Sequence, residues 1–171
     1  MNINDFDANA TIEDGILKNC KLARELTIEG VEVVCGQKTH DDMQNHRYGL
    51  DIFYNCLNRN DILEKVSIRD AKTIGAKAFE HCKALSEVKL SEGLKKIDLM
   101  AFYGCDNLKE IEIPESVEQI NGAFGYSGSN NDNLIIKLLG GKEQLNKLTN
   151  NGECEFTGIE FGLYEDIMLG E

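Results

Sequence analysis

Six cysteines and three histidines are the residues of this chain best suited to chemistry. Thiols can form disulfides, hold zinc or act as nucleophiles, and imidazoles can share the last two tasks. The cysteines are Cys20, Cys35, Cys56, Cys82, Cys105 and Cys154, and they include no Cys-x-x-Cys pair of the kind zinc sites use. The stretch Thr39-His40-Asp41-Asp42-Met43-Gln44-Asn45-His46 has the residue types of a metal or acid–base site. It lies in a polar segment without a second anchored cluster, and it reads as an exposed loop. His81, between Glu80 and Cys82, reads as a surface residue. Gly122-Ala123-Phe124-Gly125-Tyr126-Ser127-Gly128 lacks the following helix and the lysine of a phosphate cradle, and reads as a turn tipped by Ser129-Asn130-Asn131-Asp132. There is no Gly-x-Ser-x-Gly elbow and no His-Glu-x-x-His helix. Asn9-Ala10-Thr11 is a glycosylation sequon, relevant only to an exported chain. These residues predict no catalytic, cofactor or metal site.

A repeat sets the elements that carry them. Ala78-Phe79-Glu80-His81-Cys82-Lys83-Ala84-Leu85 returns 23 residues later as Ala101-Phe102-Tyr103-Gly104-Cys105-Asp106-Asn107-Leu108. At the same offset Val88 matches Ile111, Leu90 matches Ile113, Leu94 matches Val117 and Ile97 matches Ile120. Upstream, Cys56 leads to Leu63, Val66, Ile68 and Ile74, and Cys20 leads to Leu22, Leu26, Ile28, Val31 and Val34. Downstream, Ala123-Phe124 opens another unit that reaches Ile136-Lys137-Leu138. Four of the cysteines, at 20, 56, 82 and 105, thus share one repeat position. That position calls for a small buried hydrophobe, which explains the thiols without redox or metal chemistry. Thiols left reduced point mildly to an intracellular setting.

The string Ala-Phe-x-x-Cys-x-x-Leu-x-x-Ile-x-Ile-Pro-x-x-Val-x-x-Ile, from Ala101 to Ile120, resembles the BspA-like leucine-rich repeat. The resemblance implies an α/β solenoid, a short right-handed superhelix of about five repeats with a parallel strand ladder and a C-terminal cap. It also implies, loosely, a surface or secreted binding protein of bacteria. The expected layout is one domain over 1–171. An N-terminal cap fills 1–14, repeats fill 15–139 with a polar insertion at 36–51, and a helix and strand cap with an acidic tail fills 140–171. Within the cap, Leu145 and Leu148 have helical spacing, and Cys154, Phe156 and Ile159 suggest a strand.

Elementary physics gives the same picture. One unit cannot bury its apolar face alone, so units must stack. Strand residues such as Val88 and Leu90 point inward, and the residue between them points out. The outward ladder reads Thr27, Ser67, Lys89, Glu112 and Lys137, flanked by Arg69, Ser91 and Glu110. Five rungs at about 4.8 Å give a strip on the order of 20 Å long, a concave surface suited to a macromolecular partner.

Charge narrows the partner. Thirty acids against 18 bases give −12, which opposes direct binding to nucleic acid or to an anionic membrane. Beyond Lys147 no base follows, while Glu153, Glu155, Glu160, Glu165, Asp166 and Glu171 do. No run approaches the roughly 18 apolar residues of a membrane span. Met1-Asn2-Ile3-Asn4-Asp5-Phe6-Asp7 does not read as a signal peptide, so the chain as written is expected in the cytoplasm, or at the cell surface if an export signal has been removed. Two function classes fit. One is a non-enzymatic protein-binding module. The other is an acidic inhibitor from a phage or mobile element, of the anti-CRISPR or anti-defence type, that blocks the basic channel of a nucleic-acid-binding protein.

Overall fold

A computed structural model of the chain describes residues 2–3, 23–30, 33–34, 57, 59–125, 134–150 and 167–169. Alternating apolar and polar residues form one set of strands. In chain order the elements are β1 (Asn2–Ile3), β2 (Glu25–Glu29), β3 (Val33–Val34), β4 (Lys65–Arg69), β5 (Thr73–Ile74), β6 (Glu87–Leu90), β7 (Lys96–Ile97), β8 (Glu110–Ile113), β9 (Gln119–Ile120), β10 (Ile135–Leu138), α1 (Gly141–Asn150) and β11 (Ile167–Leu169). Leu26 and Ile28, Val66 and Ile68, Ile111 and Ile113, and Ile136 and Leu138 put their side chains into one continuous core. Burying each such chain contributes about 1.5–3 kcal/mol.

Each coil of the solenoid has three sides. The longer strands β2, β4, β6, β8 and β10 build the first face, with β1 and β11 added at its two ends. The two-residue strands β3, β5, β7 and β9 build a second face, also parallel. This second ladder goes beyond the sequence reading, which placed Ile74, Ile97 and Ile120 in the repeat without seeing strands there. The first face also departs from an unbroken ladder. It is joined as β1-β2-β4-β6 and as β8-β10-β11, with no pairing between β6 and β8.

The third side is the Ala-Phe-x-x-Cys turn. Phe79 and Phe102 stack with centroids 5.3 Å apart, and Phe102 and Phe124 follow at 5.9 Å. Backbone bonds run from coil to coil beneath this column, from Phe79 N to Ala101 O and from Phe102 N to Ala123 O, both at 2.8 Å. The residue before each alanine turns the chain with a positive φ, at Lys77 (60°), Met100 (56°) and Gly122 (56°). That strained conformation recurs because all three turns must bend into the stack at the same place.

After β10 the chain enters α1, whose Leu148 is buried and whose Leu145 is partly buried. Glu143 in the first turn and Lys147 in the last suit the helix dipole and pair at 3.2 Å. Gln144, 1% exposed, donates from Nε2 to Pro114 O at 2.6 Å and accepts from Gly140 N at 3.0 Å. This side chain fastens the helix to the end of β8.

Candidate interaction face

The parallel register settles which outward residues stand together. Thr27 pairs with Ser67 and Ser67 with Lys89 in one row, and Glu112 pairs with Lys137 in the other. Lys89 and Glu112 are exposed, and Thr27, Ser67 and Lys137 are partly so. Arg69 and Glu110 stand exposed at the margins, and Ser91 is half-buried.

Opposite charges alternate along this surface. The carboxylate of Glu25 is 2.9 Å from Lys65 Nζ, which in turn lies 4.0 Å from Glu87. Glu87 meets Lys89 at 2.7 Å. Lys137 meets Glu110 at 2.6 Å and Glu112 at 4.0 Å. Arg24 and Glu64 pair at the edge. The bonds to Glu25 and Glu110 raise Lys65 and Lys137 above the ordinary lysine value, and the bond to Lys89 lowers Glu87 below that of a glutamate. Each of these three shifts favours the charged form. Being solvated, such pairs contribute little to stability, and their pattern bears on recognition instead.

The thiols are packed away. Cys82 Sγ donates to Leu57 O at 3.0 Å and Cys105 Sγ to Phe79 O at 3.2 Å, each reaching back to the preceding coil. Burial pushes the Cys82 thiol up to about 12 and the Cys105 thiol well above its ordinary range. Both are free and neutral, so neither is poised as a nucleophile. Cys20, Cys35, Cys56, Cys154 and the segment Thr39–His46 lie outside the described residues. So do Ser129–Asp132 and the Cys154–Ile159 strand expected from the sequence. Among the described residues no group of three His, Cys, Asp or Glu could hold a metal ion. Among them, too, no helix is long and apolar enough to cross a membrane.

His81, expected at the surface, is exposed only in part. Its φ is 58°, and its ring meets that of Tyr103 in the next coil edge to face, with centroids 5.0 Å apart. Asp98 belongs to no motif in the sequence, yet it is buried. Its carboxylate lies 3.0 Å from Lys96 Nζ and accepts from Leu99 N at 2.9 Å and Asn121 Nδ2 at 3.2 Å. The available signal was positional, because Asp98 and Asn121 each follow the isoleucine of a paired strand, Ile97 or Ile120. With every partner supplied internally, Asp98 ties coils together and offers no ligand site.

The outward face therefore stands as the candidate, and comparison agrees with the architecture beneath it. The family model described as BspA type leucine rich repeat region matches residues 47–151 in six copies. The chain belongs to this family. The repeat pattern alone gives about five units over 15–139, whereas the family match starts later and runs into α1. No curated protein and no solved structure matches the chain. As a BspA-type repeat, it owes its shape to stacked coils, and leucine-rich repeats of this kind are suited to protein interaction.

Proposed function

We propose that this BspA-type chain is a non-enzymatic scaffold that takes a protein partner on its first face. The partner is bound through Thr27, Ser67, Lys89, Glu112 and Lys137, with Arg69 and Glu110 at the margins. The supporting observation is the outward row itself. The alternate side chains of the same strands go to the core, so these positions are free to vary with the partner. Solenoids present extended surfaces of this kind, and a standard interface needs about 800 Å² from each side. The alternation of glutamate and lysine rewards a partner whose charges alternate in the opposite sense and penalises others. In this reading the coil is a right-handed superhelix, the hand favoured by parallel crossover connections, concave on its strand side and capped by α1 and β11.

The test uses the chain as bait in lysate of the source organism. The double variant Lys89→Glu with Glu112→Lys should lose the captured partner, and Lys72→Glu before β5 should keep it, with all three folded by circular dichroism. Equal capture by the double variant would remove the first face from consideration. Should the captured partner bind nucleic acid, competition between this acidic chain and that nucleic acid would mark the inhibitory mode.

A further inference from the structure

The same two coils are joined differently on their different sides. Along the turn edge Lys77, Phe79 and His81 donate to Leu99, Ala101 and Tyr103 at 2.9, 2.8 and 2.6 Å. On the second face Glu118 N donates to Lys95 O at 2.9 Å and Asn121 N to Ile97 O at 3.0 Å. The corner between the faces is laced by side chains. There the Glu92 carboxylate accepts from Glu115 N and Ser116 N at 3.2 Å each. Ser116 Oγ accepts from Gly93 N and donates to Leu94 O, both at 2.9 Å. On the first face β6 and β8 lie side by side and share no pairing.

One donor is missing at the break. In the neighbouring rungs the residue after the strand closes the ladder, with Ser91 N donating to Ile68 O at 3.1 Å and Leu139 N to Ile113 O at 3.0 Å. In the β8 coil that residue is Pro114, which has no N–H to offer Leu90 O. Packing is also looser on the β6 side. Val88 is 8% exposed and Leu90 only partly buried, whereas Ile111 and Ile113 are at 1% and 0%.

We infer that the first face is built as two plates with a slit between β6 and β8, which opens locally while the turn edge and the second face hold the coils together. The slit falls between Lys89 and Glu112, midway along the outward row. Opening there breaks no strand ladder, so it takes less free energy than opening a neighbouring paired rung. The inference holds whether or not this face binds a partner.

Amide hydrogen exchange at residue resolution, on the full chain, tests it. The alternation of a parallel ladder directs the Lys89 amide to Val66 and the Lys137 amide to Ile111, and it directs the Glu112 amide across the slit. Glu112 should exchange at least about tenfold faster than Lys89 and Lys137, as expected of a low-stability opening. Pro114→Ser restores the missing donor and should slow Glu112 by a similar factor. A Glu112 amide as slow as those of Lys89 and Lys137 in the native chain would overturn the slit. Fast exchange unchanged in a folded Pro114→Ser variant would overturn the proline as its cause.

Discussion

A thiol pressed against a carbonyl of the preceding coil is held neutral by its surroundings, and that makes stability depend on pH. The folded values lie above the ordinary 9.0, at about 12 for Cys82 and further up for Cys105. Unfolded thiols ionise first, so this contribution is complete below about pH 9 and is lost as pH rises through the folded values. The expected loss approaches about 1.4 kcal/mol per pH unit for each thiol. Urea melts between about pH 8 and 10.5 should show a steeper fall for the native chain than for Cys82→Ala with Cys105→Ala. Equal slopes would mean that the thiols are not shielded. A second residue-scale prediction concerns Gly104, whose φ is +70° and whose missing Cβ would run into the His81 ring. Gly104→Ala should cost about 2–3 kcal/mol. Adding His81→Ala should recover the steric share and leave about 1 kcal/mol of backbone strain, which a double-mutant cycle reads directly.

At the scale of elements the turn column is the main internal support. Phe102 has an aromatic neighbour both before and after it, at 5.3 and 5.9 Å, and is fully buried. Phe102→Ala should therefore cost about 3–5 kcal/mol, a large part of the stability of a domain this size. Phe124, 7% exposed, stacks on Phe102 alone among the described rings. Phe124→Ala should cost less, and denaturant midpoints for the two variants check the order. The reverse order would mean that the column is held chiefly from its C-terminal end.

For the whole molecule the dominant fact is a net charge of −12 carried on a short stack. Mutual repulsion opposes association of copies at neutral pH. As pH falls through the carboxylate range, about 4–5, that repulsion fades and copies become free to associate. Light scattering should rise over that interval and fall again when pH is restored. Scattering that stayed flat would show that something other than charge keeps copies apart.

The sequence alone determined the repeat, the inward residues of the longer strands, the packing role of Cys82 and Cys105, and the outward row. It could do so because period-two alternation permits one register when one face must be buried, so Thr27, Ser67 and Lys89 had to align. Glu112 and Lys137 follow by the same logic. Only the tertiary structure revealed the second ladder, since strands as short as Thr73–Ile74 carry no pattern of their own and exist through bonds from the coils beside them. The same holds for the Asp98–Asn121 bond and for the ring of His81 on Tyr103. The slit at Pro114 is the sharpest instance. The proline was plain in the sequence, but its consequence depended on which carbonyl the preceding coil would set opposite it, and stacking alone decides that.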